Sequence, residues 1–145
     1  YKEGVEFFLK DYPLHRKLSA MVKDLNELYK KTPALYEIED SWDGFEWLAA
    51  DDGDRNFIAY QRKDREGNAV VVMINFSGTD YKDYRLGLPM GKYQLIFNSD
   101  FIRYGGSGTM KKYIFVTTKT FSHGKEHSIR FDLPKLTCVY LKKIN

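Results

Sequence analysis

The sequence predicts a mainly β fold, an antiparallel β-sandwich of about eight strands preceded by one amphipathic α-helix. Three observations carry this reading. An apolar period of 3.6 runs from Leu14 to Tyr29, the period changes to two beyond Pro33, and turn signals then recur at short intervals to the C-terminus. At 145 residues the chain has room for one domain and a flanking element. Its eleven Tyr, ten Phe and two Trp suit pleated strands, where flat rings pack on half-buried surfaces. The same rings also suit stacking on sugar faces.

The helix comes first. Leu14, Leu18, Met21, Val22, Leu25, Leu28 and Tyr29 fall on one face. Asp11 or Tyr12 stands at the entry and Pro13 fits the first turn. Glu27 and Lys31 have the i,i+4 spacing of a favourable pair. Thr32-Pro33 ends the helix, because the residue before proline is pushed out of the α region. A single helix has no hairpin partner in the chain, so its face must pack on the sandwich or on something beyond these residues. The width of the stripe predicts a helix taken from a larger helical layer, with the natural protein extending N-terminally.

The strands follow. They are expected over Phe45–Ala49, Asn56–Lys63, Ala69–Phe76, Tyr84–Leu88, Lys92–Asn98, Tyr113–Thr118, Ser128–Leu133 and Thr137–Lys142. Ile129, Phe131 and Leu133 alternate with Ser128, Arg130 and Asp132, the pattern of a sheet with one wet face. Val70–Ile74 is apolar throughout and reads as a central strand. Turn signals at Asp52-Gly53-Asp54, Arg65-Glu66-Gly67-Asn68, Pro89-Met90-Gly91 and His123-Gly124 separate the runs.

Composition excludes several classes. Basic residues exceed acidic ones by only three and occur as pairs such as Lys111-Lys112, so no nucleic-acid stripe is present. The one cysteine, Cys138, rules out an intrachain disulfide and reads as a small strand hydrophobe. No signal peptide and no apolar run of about 18 residues appears, which points to the cytoplasm and away from a membrane. Asn75-Phe76-Ser77 fits a glycosylation sequon, yet lies in an apolar strand.

Chemistry-bearing patterns are sparse. His123 and His127 are four apart in turn or strand, without further ligands at metal spacing. Asp51-Asp52-Gly53-Asp54 lacks the register of a calcium loop and reads as a solvated hairpin tip. Gly105-Gly106-Ser107-Gly108 has neither phosphate-loop nor dinucleotide spacing. It either turns a long loop or lets backbone approach a partner domain or a glucan. No cofactor, metal or catalytic residue is expected in this chain.

Several motifs in order give the sequence a resemblance. His15 to Glu37, with Leu25-Asn26-Glu27-Leu28-Tyr29 and Pro33-Ala34-Leu35, resembles the last barrel helix of bacterial glycogen (1,4-α-glucan) branching enzymes. Asp43-Gly44-Phe45-Glu46-Trp47, Asn75-Phe76, Asp83-Tyr84-Arg85-Leu86-Gly87 and Gly91-Lys92-Tyr93 follow in that family's order. Asn98-Ser99-Asp100, Tyr104-Gly105-Gly106-Ser107-Gly108, His123-Gly124 and Leu133-Pro134-Lys135-Leu136 complete the series. Thr109–Ser122 departs from the pattern, and residues 1–11 are similar only in a general way.

The resemblance implies a parent with a (β/α)8 barrel and an amylase-type C-terminal β domain, which cleaves an α-1,4 glucan and transfers it to a 6-hydroxyl. The family's retaining mechanism uses an Asp nucleophile, a Glu acid/base and a second Asp, all on barrel loops, so none is carried over here. On this reading residues 1–39 are the trailing helical segment of the barrel and residues 40–145 the C-terminal sandwich. The chain is then an auxiliary domain whose partners are that barrel and an α-glucan, inactive by itself. Two rivals are a stand-alone glucan-binding module and a purely structural interface domain. Candidate carbohydrate contacts are Trp42, Trp47 and Tyr104 as stacking rings and Asp100 as a hydrogen-bonding partner. For Trp47 and Tyr104 the rival role is packing in the core or between domains.

Overall fold

A computed structural model describes residues 4–50 and 52–145. Helix α1 covers Pro13–Lys31, entered from an extended Tyr12 with proline in its first turn. Thr32 leaves helical geometry ahead of Pro33, and a short 3-10 turn, Pro33–Leu35, follows. The expected Glu27–Lys31 pair does not form. An exposed pair of this kind gains only a few tenths of a kcal/mol, roughly the entropy needed to hold it.

Eight strands follow: β1 Phe45–Ala49, β2 Phe57–Lys63, β3 Ala69–Asn75, β4 Tyr81–Gly87, β5 Lys92–Asn98, β6 Ile114–Val116, β7 Ser128–Leu133 and β8 Thr137–Lys143. Six form one antiparallel sheet in the order β1-β2-β3-β8-β5-β6, and β4 pairs with β7 in a two-stranded second sheet. The apolar run lies in β3, which is flanked by β2 and β8 and buried along almost its whole length.

The core lies between the two sheets. Phe57, Met73, Tyr93 and Leu141 from the large sheet meet Leu86, Ile129 and Leu133 from the small one. Each such side chain contributes about 1.5–3 kcal/mol by leaving water. A smaller apolar cluster covers the opposite face of the large sheet, where Ala34 and Leu35 pack with Val70, Val72, Tyr60 and Tyr140.

Seven expected boundaries shift, among them the ends of β3 and β4, each one residue early, and the end of β8, one residue late. β2 starts one residue late because Asn56 adopts left-handed backbone. β4 starts three residues early, across an irregularity in its pairing at which Asp83 has a φ of 55°. The strand expected over Tyr113–Thr118 is reduced to three residues, with Thr118 bridging only to Ser128. The strand setting that discounts the sequon is observed, since Asn75 ends β3. Asn75 is 1% exposed, and its amide nitrogen donates to the carbonyls of Thr79 and Pro134, both at 3.0 Å, so no glycan can attach to the folded chain.

Candidate functional site: an aromatic cleft beside the helix

The two tryptophans are brought together. Ser41 caps a short turn, Trp42–Gly44, by accepting a hydrogen bond from the Asp43 amide. Gly44 is required there, because any Cβ would strike Ile38. The turn feeds β1, whose alternation puts Phe45 and Trp47 on one face and Glu46 on the other. Phe45 stacks on Tyr60 of β2 at 5.1 Å and meets Trp47 edge-on at 4.9 Å and Trp42 at 5.9 Å. Trp42 is 78% exposed and Trp47 48%. With Glu39, Asp40 and Arg62 these rings line a cleft of about 440 Å³.

Arg62 is the residue that sequence reading missed. It pairs with Phe45 across the β1–β2 ladder and reaches back to donate to the Ile38 carbonyl at 2.8 Å. Its Nε is buried without a partner. Only the strand register brings it beside Trp42, twenty positions earlier, so no local motif marks it. The arrangement offers exposed tryptophan faces with the Arg62 guanidinium and the Glu39 and Asp40 carboxylates along one rim.

Tyr104 and Asp100 lie elsewhere, on the loop after β5. The Tyr104 hydroxyl donates to Asp24 of α1 at 2.6 Å and accepts from Arg103 at 2.8 Å. Burial raises the pKa of that hydroxyl, and the bond to Asp24 adds to the effect. Asp100 accepts from the Ser107 amide at 2.8 Å and the Ser107 hydroxyl at 2.5 Å. A Cβ on Gly106 would strike the Asp100 backbone, so the glycine run is what lets this loop fold onto its own start.

Two polar clusters sit away from the cleft. The hairpin carrying Asp52 is not simply solvated, since Tyr84 donates to Asp52 at 2.6 Å; Asp51 of that hairpin lies outside the described residues. The His123 ring stacks on Tyr84, and its Nδ1 accepts from the Gly87 amide at 3.3 Å. Glu46 accepts from Gln61, Lys63 and Lys125. Burial pushes its carboxyl up, but these partners outweigh burial and hold it below the usual range. Among the described residues no group of three His, Cys, Asp or Glu side chains could hold a metal. Burial pushes the Cys138 thiol up to about 12, so it stays protonated and behaves as a hydrophobe.

Helix α1 has two flanks. Met21, Leu25 and Leu28 are half-buried toward the sandwich, whereas Leu14, Leu18 and Val22 stand exposed beside them. No residue of the helix is fully buried. Among the described residues no helix is long and apolar enough to cross a membrane.

A helix-capped antiparallel sandwich of this topology has a known home. Residues 47–144 match the alpha amylase C-terminal all-beta domain family, and the chain belongs to it. Its sequence relatives are more particular. It is 33% identical to the 1,4-alpha-glucan branching enzyme GlgB of Halothermothrix orenii over 100% of this chain and 23% of that protein. It is 38% identical to the GlgB of Photobacterium profundum over 94% of this chain and 19% of the relative. The chain thus corresponds to the C-terminal domain of GlgB-like branching enzymes and spans about a fifth of the length of the relatives it matches. The crystal structure of the group B Streptococcus pullulanase SAP shares the fold, with a TM-score of 0.56 at 20% identity over 94% of this chain and 17% of that one.

Proposed function

We propose that the chain serves as the C-terminal auxiliary domain of a 1,4-α-glucan branching enzyme, packing on a catalytic barrel and guiding glucan chains toward it. The observation that carries this is the exposed flank of α1. Leu14, Leu18 and Val22 present an apolar row next to the half-buried Met21, Leu25 and Leu28 on the same helix. Such a row is costly to leave in water and suits a second packed layer. Similarity to the branching enzymes extends across the helix as well as the sandwich, which supports reading residues 1–39 as the barrel's trailing segment and 40–145 as the β domain.

In this proposal Trp42 and Trp47 supply the glucan contact, in the cleft they line with Arg62. Tyr104 and Asp100, whose polar atoms already have partners, fix the loop that braces α1. The role also implies a cytoplasmic location alongside glycogen. The catalytic carboxylates belong to the barrel, so the 145-residue chain should not change the iodine stain of amylose or create α-1,6 linkages. Branching by the isolated chain would overturn the proposal.

A further inference from the structure

A second groove lies beyond the loop that follows β5 and shares no residue with the tryptophan cleft. It has a volume of about 490 Å³ and is lined by Phe101, Ile102, Arg103, Met110, Lys111 and Tyr113. The Tyr113 ring is 52% exposed and runs nearly parallel to that of Phe101, with centroids 6.5 Å apart and an interplanar angle of 23°. Phe101 packs against the main core, so the ring pair has a rigid base. The Arg103 guanidinium lies over Phe101 at 5.4 Å and is tied to Asp24, which holds one wall of the groove in place. The Tyr113 hydroxyl and the Lys111 ammonium make no hydrogen bond or ion pair with the described residues.

We propose that this groove is a second α-glucan contact, in which Tyr113 stacks on a pyranose ring while its hydroxyl and Lys111 bond to the sugar hydroxyls. The exposed Tyr113 ring matches the apolar C–H face of a pyranose, and the unpartnered donors match its hydroxyl rim. Tyr113 lies in the stretch Thr109–Ser122, outside the motifs that carry the resemblance to branching enzymes. The inference rests on the glucan-guiding role proposed above.

The test is affinity electrophoresis in glycogen-containing gels, with maltoheptaose titration by calorimetry, on the 145-residue chain and its Trp42→Ala, Tyr113→Ala and Tyr113→Phe variants. Removing one ring should weaken glucan binding by about three- to tenfold, the size of an aromatic stacking contribution. Tyr113→Phe should keep most of the affinity, and Tyr113→Ala combined with Trp42→Ala should weaken it more than either alone. Unchanged affinity in Tyr113→Ala alongside a loss in Trp42→Ala would overturn the second contact and leave the first standing. Absence of any binding by the unaltered chain would overturn both. Should Tyr113→Ala unfold at lower temperature than the parent, Lys111→Ala gives the same readout, and unchanged affinity there would count against the groove.

Discussion

Replacing Asn75 by alanine should cost more stability than its small side chain suggests. Asn75 ends the central strand β3, and its amide nitrogen donates to the carbonyls of Thr79 and Pro134 at 3.0 Å each. Its Oδ1 accepts from the Ser77 amide at 2.9 Å. One side chain thereby ties the β3–β4 turn to the turn before β8. Alanine removes all three bonds and leaves the Pro134 carbonyl buried without its partner. At about 0.5–1 kcal/mol for each of the two part-buried bonds, plus about 1–2 kcal/mol for the orphaned Pro134 carbonyl, the loss should be about 2–4 kcal/mol. For a domain of this size that lowers Tm by roughly 6–12 °C. Asn75→Asp keeps the acceptor for Ser77 but turns a carboxylate toward two carbonyls, so it should lose at least as much at pH 7. Thermal unfolding followed by circular dichroism reads both. A drop of less than about 3 °C in Asn75→Ala would refute the reasoning.

Two further outcomes follow from named side chains. Burial lowers the pKa of His123 in the folded chain, against about 6.5 when unfolded. The neutral ring's contribution to stability is therefore complete above that value and is lost as pH falls below it toward the folded pKa. Urea midpoints should drop between pH 7.5 and pH 5.5, and His123→Gln, which lacks the titrating ring, should flatten that slope; an equally steep slope in the variant would contradict the assignment. Trp42 is an exposed ring, so Trp42→Ala should change unfolding stability by no more than about 0.5 kcal/mol while weakening retardation by glycogen. A large stability loss would instead make Trp42 a packing residue.

Much of the fold was legible because hydrophobic periodicity tracks burial. The Leu14–Tyr29 stripe became α1, and the unbroken Val70–Ile74 run became the strand between β2 and β8. What escaped was tertiary. The order β1-β2-β3-β8-β5-β6 depends on long-range pairing, and so does the placement of Arg62 beside Trp42. The early start of β4 was hidden by Asp83, a polar residue in left-handed backbone that interrupts the expected alternation. Tyr113 was expected in a strand but lies just before β6, and its place as a groove wall was hidden because Phe101 approaches it from the far end of the same β5–β6 connection. Tyr104 and Asp100 carried the right chemistry for sugar binding, yet their partners Asp24 and Ser107 appear only in three dimensions.

In the proposed role the exposed flank of α1, with Leu14, Leu18 and Val22, docks on a catalytic barrel. Amide hydrogen exchange across Pro13–Lys31 tests this docking, compared between the isolated chain and the same chain joined to the catalytic barrel proposed for it. The turns bearing Leu18 and Val22 should exchange markedly more slowly when the barrel is present, and Val22→Asp should abolish that difference while leaving the sandwich strands protected. Equal exchange of α1 in the two forms would contradict it.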